Sequence, residues 1–104
     1  MTLLIRAPAP ADEARWRDLW AQYVAFYGAA VPEHATATTW WRMLEPDGSV
    51  FGRLAEKDGT VLGFAVCVLH AGTWSPAPLC YLEDLFVDPA HRGGGVGAAL
   101  IEHL

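Results

Sequence analysis

The stretch Val61 to Leu69, Val-Leu-Gly-Phe-Ala-Val-Cys-Val-Leu, constrains the fold more than any other part of the chain. Read as a strand, it places Val61, Ala65, Cys67 and Leu69 on one face and Leu62, Phe64, Val66 and Val68 on the other, because side chains alternate along an extended backbone. Both faces are apolar, so both need cover, and helices packed on a sheet supply it. Asp58-Gly59 separates this run from Val50 to Glu56. That dipeptide suits a two-residue type I′ turn, so the two runs are expected to pair as an antiparallel hairpin.

The rest of the chain offers helices for both faces. Leu3 and Ile5 suggest a short first strand, stopped by Pro8 and Pro10. Asp12 and Glu13 suit the positive end of a following helix, in which Trp16, Leu19, Trp20, Tyr23, Val24 and Tyr27 recur at spacings of three and four and Gly28 is the natural stop. After Val31-Pro32, a second helix is expected from about Thr38, carrying Trp40, Trp41, Met43 and Leu44 into the core and ending before Pro46. His70 to Pro78 reads as a loop, Leu79 to Val87 as the next strand, and a helix begins at Gly95 with Val96, Ala99, Leu100 and Leu104 on one face. At 104 residues this is one domain, 1–104, of the α/β class, with a mixed sheet and flanking helices. The chain stops about ten residues into the last helix, before the strand that would complete a strand–helix–strand unit. A domain incomplete at its C-terminus is the expectation.

Composition narrows the function. Seven basic against twelve acidic residues give a net charge of −5, which opposes the counterion release that drives nucleic-acid binding. The same charge would attract cationic amines, and it equally serves solubility. The longest apolar stretch falls far short of the roughly 20 residues that span a bilayer, and Met1 to Ile5 is followed at once by Arg6 and Pro8, so there is no secretory core. No membrane partner and a cytoplasmic location are expected. With 53% apolar residues, some apolar surface is expected to face further chain or a partner, a homodimer among the arrangements. Cys67 and Cys80 lie in apolar runs and read as reduced core side chains rather than a disulfide or a nucleophile.

Between the strand ending at Val87 and the last helix stands Arg92-Gly93-Gly94-Gly95-Val96-Gly97. Glycines admit positive φ and leave their amides bare, so successive N–H groups can form an anion-binding concavity at the positive end of the helix. A flexible linker is the plainer reading, but a linker has no reason to join an apolar strand directly to a helix start. A P-loop is excluded, since neither Gly-Lys-Ser nor Gly-Lys-Thr occurs. The dinucleotide fingerprint G-x-G-x-x-A is met by Gly93, Gly95 and Ala98, yet Asp88-Pro89-Ala90-His91-Arg92 intervenes after the strand where that fingerprint needs its first glycine.

Glu83 and Asp84 are adjacent inside Tyr81-Leu82-Glu83-Asp84-Leu85-Phe86-Val87, and strand alternation would point them to opposite faces. An ionised carboxylate is costly to bury without a partner. One acid is therefore expected in a wet cleft, with a paired Asp84 and an edge-exposed Glu83 as the alternative. Trp74 and Tyr27 each have two readings, a wall of a ligand pocket or a cover for the core. Cys67-x-x-His70 has metal-ligand spacing, but an odd separation on a strand splits the two side chains, so no metal is expected.

Leu85-Phe86-Val87-Asp88-Pro89 followed by Arg92-x-x-Gly95-x-Gly97 resembles the acetyl-coenzyme A motif of the GNAT-type N-acetyltransferases, Arg/Gln-x-x-Gly-x-Gly/Ala. The lead-in Tyr81-Leu82-Glu83-Asp84 is similar to the diamine and polyamine branch. The resemblance covers nearly the whole chain in element order and is specific from about Leu79 onward. It implies acetyl transfer from acetyl-coenzyme A to a primary amine of a small molecule or peptide. It also implies that the backbone of Leu85, Phe86 and Val87 meets the pantetheine arm and that Arg92, Gly93, Gly94, Gly95, Val96 and Gly97 hold the pyrophosphate. Glu83 would assist removal of the amine proton, and Tyr27, Trp74 and Asp84 would meet the acceptor. A non-catalytic acyl-coenzyme A binding module and, further off, a dinucleotide-binding oxidoreductase are the alternatives.

Overall fold

The computed structural model describes residues 3–104, and the reading of the first residues as lacking a secretory core lies partly outside them, at Met1 and Thr2. Four strands, β1 (Leu4–Arg6), β2 (Val50–Lys57), β3 (Thr60–His70) and β4 (Leu79–Val87), form one sheet in the order β1-β2-β3-β4. Every neighbouring pair among them is antiparallel, so the sheet of the described residues is antiparallel throughout and not mixed as expected, each strand pairing with the one before it in the chain. Helices α1 (Glu13–Phe26) and α2 (Glu33–Leu44) pack on one face, and α3 (Val96–His103) packs on the other. The α/β architecture with helices on both faces is the one that the doubly apolar β3 demanded.

Local chemistry explains the joints. Asp58 and Gly59 both take positive φ, 54° and 79°, which is the type I′ geometry whose twist matches its flanking strands. Gly28, at φ 63°, stops α1. There the Ala29 amide donates to the Val24 carbonyl at 3.1 Å, closing the last turn in a Schellman arrangement. Helix α2 begins five residues earlier than Thr38, at Glu33. Its first turn carries few large apolar residues, so periodicity understates it. Pro32, extended at φ −62° and ψ 149°, sets the start, and Glu33 suits the helix dipole.

The core on the α1/α2 side gathers Trp16, Leu19, Trp20, Trp40, Met43, Leu54, Val61, Phe64, Val66 and Phe86. Trp16 stacks on Trp20 with ring centres 5.1 Å apart and leans on Trp40 at 5.4 Å. Each such side chain contributes about 1.5–3 kcal/mol by leaving water. Trp41, expected in this core, is exposed, because the α2 stripe that meets the sheet runs through Thr36, Trp40 and Met43. Opposite lie Ala55, Leu62, Ala65, Val96 and Leu100, with Leu82, Leu85 and Val87 packed against them. Leu104 lies beyond this stripe and is partly exposed.

Two β-bulges correct the simple alternation. Ala55 pairs with Gly63 but Glu56 pairs with Val61, leaving Leu62 as an extra residue in β3. Val61 therefore shares a face with Phe64 and Val66, and Leu62 shares one with Ala65, which reverses the expected grouping of Val61 with Ala65. In β4, Asp84 pairs with Val66 and Leu82 with Cys67, so Glu83 is the extra residue. Leu82 and Leu85, an odd number apart, consequently pack on the same side.

Candidate active site

The chain leaves β4 through Asp88, whose carboxylate accepts the Ala90 amide at 3.0 Å and caps a single helical turn over Pro89–His91. Arg92 to Gly95 then lead into α3. Gly93 and Gly95 take φ of 87° and 81°, and Gly95 is the left-handed cap of the helix. A Cβ at either position would meet nothing within 4 Å, so glycine is required there by backbone conformation and not by crowding. No side chain caps α3, and its ladder starts with the Ala99 amide donating to the Gly95 carbonyl at 3.0 Å. The amides of Val96, Gly97 and Ala98 thus stand at a helix start without intrahelical acceptors. Buried Val96 and Leu100 anchor that helix to the sheet. The concavity has the donors, the helix dipole and the open space that a phosphate group needs.

Beside it, a groove of about 280 Å³ runs between the end of β4 and the end of α1, lined by Tyr23, Phe26, Tyr27, Leu85, Phe86, Val87 and Arg92. Arg92 lines this groove and also a second pocket shared with His91, Gly94 and Val96 at the glycine turn. Its Nε donates to the Val87 carbonyl at 3.0 Å, and its guanidinium sits 5.1 Å from the Phe86 ring centre and 5.7 Å from that of Phe26. Two aromatic rings and a strand-end carbonyl thus hold the Arg92 guanidinium at the head of the glycine turn.

Residues 15–104 match the model of the acetyltransferase (GNAT) family. The chain belongs to the GNAT acetyltransferase family. It is 33% identical over 102 residues to the D-amino-acid N-acetyltransferase HPA3 of Saccharomyces cerevisiae, an alignment that takes in 96% of this chain and 63% of the yeast protein. The chain therefore spans less than two thirds of the length of that relative. Among solved structures, it resembles AAC(6')-Iy bound to the bisubstrate analogue CoA-S-monomethyl-acetylneamine with a TM-score of 0.82 and 26% identity, over 99% of this chain and 69% of that one. A possible acetyltransferase from Clostridium difficile 630 shares the fold at a TM-score of 0.83 and 12% identity, over 99% of this chain and 68% of that one.

Within this GNAT chain the remaining candidates fall into place unevenly. Glu83 is exposed at the β4 bulge, and Asp84 beside it is half-buried on the α1 side. The Tyr23 hydroxyl donates to the Asp84 carboxylate at 2.8 Å. Burial pushes the Asp84 carboxyl above its ordinary range, the Tyr23 hydrogen bond opposes that, and the charge of Glu83 adds to it. Burial, then Asp84, raises the Tyr23 phenol as well. Tyr27 lines the groove and is exposed, so it does not cover the core. Trp74 is fully exposed, lies outside the groove lining and covers no core either. Cys67 is buried, and burial with the nearby Cys80 pushes its thiol up to about 12, far from a thiolate nucleophile. Cys80 is exposed instead of core, as are its neighbours Leu79 and Tyr81 at the start of β4. Among the described residues no group of three or more metal-ligating side chains converges.

Two features escaped the reading of the sequence. Tyr23 was legible only as a residue of the α1 stripe, although a partly buried phenol needs a polar partner and β4 held an acid, Asp84, that could supply it. The second is the Arg15 guanidinium, whose Nη2 donates to Asp88 at 2.9 Å and ties α1 to the start of the glycine loop. In the sequence Arg15 is one of two arginines among nearby acids of α1, and nothing there pairs it with Asp88.

Proposed function

We propose that this protein transfers an acetyl group from acetyl-coenzyme A to a primary amine of a small molecule or peptide. The observation that carries the reading is the glycine turn, with left-handed Gly93 and Gly95 and an uncapped α3 directly after the Leu85-Phe86-Val87 strand end. In this reading the amides from Gly93 to Gly97 hold the pyrophosphate, and the backbone of Leu85, Phe86 and Val87 holds the pantetheine arm. Arg92, lying over Phe86, exchanges its bond to the Val87 carbonyl for a phosphate contact as the groove fills. Bound acetyl-coenzyme A supplies an activated thioester carbonyl.

The chain's own residues then handle the acceptor. An alkylammonium with a pKa near ~10 must lose a proton before it is nucleophilic. Glu83, exposed at the bulge, accepts that proton directly or through water. Asp84 and Tyr27 attract and orient the cation. Trp74 is left out of this set. The yeast relative is named for D-amino acids and the structural relative was solved with an aminoglycoside-derived analogue, and both are amine acceptors, which supports the acceptor class.

Thermal shift with acetyl-coenzyme A, NADH and ATP, followed by thiol release against a panel of diamines, amino acids and aminoglycosides, tests the proposal. Stabilisation by acetyl-coenzyme A alone, with thiol release dependent on an amine, is the expected result. Binding without turnover on any amine would favour the non-catalytic module. Stabilisation by NADH alone would overturn the coenzyme assignment.

A further inference from the structure

Helix α1 carries a residue that is remote from the groove yet fixes the loop beside it. The Arg15 guanidinium makes three contacts: Nε donates to the Val61 carbonyl at 3.0 Å, Nη1 to Asp18 at 2.8 Å, and Nη2 to Asp88 at 2.9 Å. Asp88 in turn binds outward in every direction. Its amide donates to the Leu62 carbonyl at 2.7 Å, its carbonyl accepts the His91 amide at 2.9 Å, and its second carboxylate oxygen accepts the Ala90 amide.

The β3 bulge explains why this cluster exists. The ladder between β3 and β4 ends at Gly63 opposite Val87, so Val61 and Leu62 run on beyond it. Their carbonyls need other donors. Arg15 and the Asp88 amide are those donors, and together they turn the end of β3 into a seat for the turn that leaves β4. The glycines downstream have no side chains to hold them, and the spaces beside Gly93 and Gly95 are empty. The position of their amides is therefore inherited from the two ends of the loop, Asp88 on one side and the buried Val96 and Leu100 of α3 on the other.

We propose that Arg15 is a positioning residue for the anion-binding loop, setting through Asp88 where the amides of Gly93 to Gly97 stand relative to the end of β4. This inference rests on the reading of that loop as the coenzyme site. Arg15 is partly exposed, at 32% of its side chain, and Asp88 at 20%. Removing Arg15 opens no cavity in the core but leaves the Val61 carbonyl without its donor, so melting temperatures are read beside affinity, and the Asp88 end of the loop keeps only its backbone bond to Leu62. A lysine has a single point charge and can keep the Asp88 pair but not all three contacts, so it restores only part of the geometry.

Calorimetry with coenzyme A on the wild-type chain and on Arg15→Ala, Arg15→Lys, Asp88→Asn and Arg17→Ala, with melting temperatures, tests this. Arg17 is the control, an α1 arginine of similar exposure paired with Glu13 and Glu33 and away from the loop. The expected result is a roughly tenfold loss of affinity in Arg15→Ala, partial recovery in Arg15→Lys, a comparable loss in Asp88→Asn, and unchanged affinity in Arg17→Ala. Equal affinity in Arg15→Ala and wild type overturns the inference while leaving the coenzyme site standing. So does an affinity loss in Arg17→Ala as large as that in Arg15→Ala, which would make the effect one of general stability. If Arg15→Ala does not fold, Asp88→Asn and Arg15→Lys decide on the same criteria. A wild-type chain that binds no coenzyme A overturns the coenzyme-site reading and this inference with it.

Discussion

Gly95→Ala separates backbone conformation from space at the anion loop. Gly95 takes φ 81° and ψ 10°, with nothing within 4 Å of where a Cβ would stand. Alanine therefore meets no clash, and its cost is conformational, about 1–2 kcal/mol for a left-handed residue. In the free protein this exposed loop can relax, so the melting temperature changes little. In the complex the amides have to regain their places, and the whole cost falls on binding, a loss of about 5- to 30-fold. Gly94 is the control in the same loop. It lies outside the left-handed region and the nearest atom to its Cβ is the His91 carbonyl oxygen at 3.7 Å, an ordinary contact. Gly94→Ala is expected to leave affinity within about twofold. Calorimetry with coenzyme A on both variants checks this. Equal losses in the two, or an unchanged Gly95→Ala, would refute the argument that left-handed geometry creates the site.

Asp84→Asn is expected to raise the melting temperature at neutral pH. A carboxyl whose folded pKa is raised contributes stability below its unfolded value, about 3.9, and loses it as pH rises through the folded value, so the gain from asparagine should vanish in acid; a gain that persists below pH 3 would contradict the burial argument. Gly63→Ala would put a Cβ 2.7 Å from the Phe86 carbonyl oxygen and force β3 and β4 apart, so denaturant unfolding should show a loss of about 1–3 kcal/mol; an unchanged midpoint would refute that contact. Glu83→Gln should lower turnover by roughly 10²-fold or more with coenzyme affinity unchanged. Part of the loss should return as pH rises toward that of the free amine, and a lowered melting temperature with normal turnover would make Glu83 a structural acid.

What the sequence disclosed was local. Asp58-Gly59 carries its turn type in its own φ preferences, the apolar β3 announced cover on both faces, and the glycine run marked the helix start. The bulges at Leu62 and Glu83 were hidden, because an extra residue exists only relative to the partner strand. They decide which acid is half-buried and why Leu82 and Leu85 share a face. Trp41 read as core in the second helix, and Trp74 as either a pocket wall or a cover for the core, but exposure depends on which stripe meets the sheet and where a loop runs. The Tyr23 contact with Asp84 and the Arg15 contact with Asp88 join residues 61 and 73 positions apart. Periodicity cannot reach across such distances.

In the proposed complex one loop and one strand end together hold the coenzyme. Amide shifts of the isotopically labelled protein during titration with coenzyme A test it most directly. Saturable shifts concentrated on Gly93 to Gly97 and on Leu85 to Val87 are expected, with NADH producing none there. Shifts confined elsewhere, such as the groove between α1 and α2 lined by Trp20, Val24 and Thr36, would contradict it.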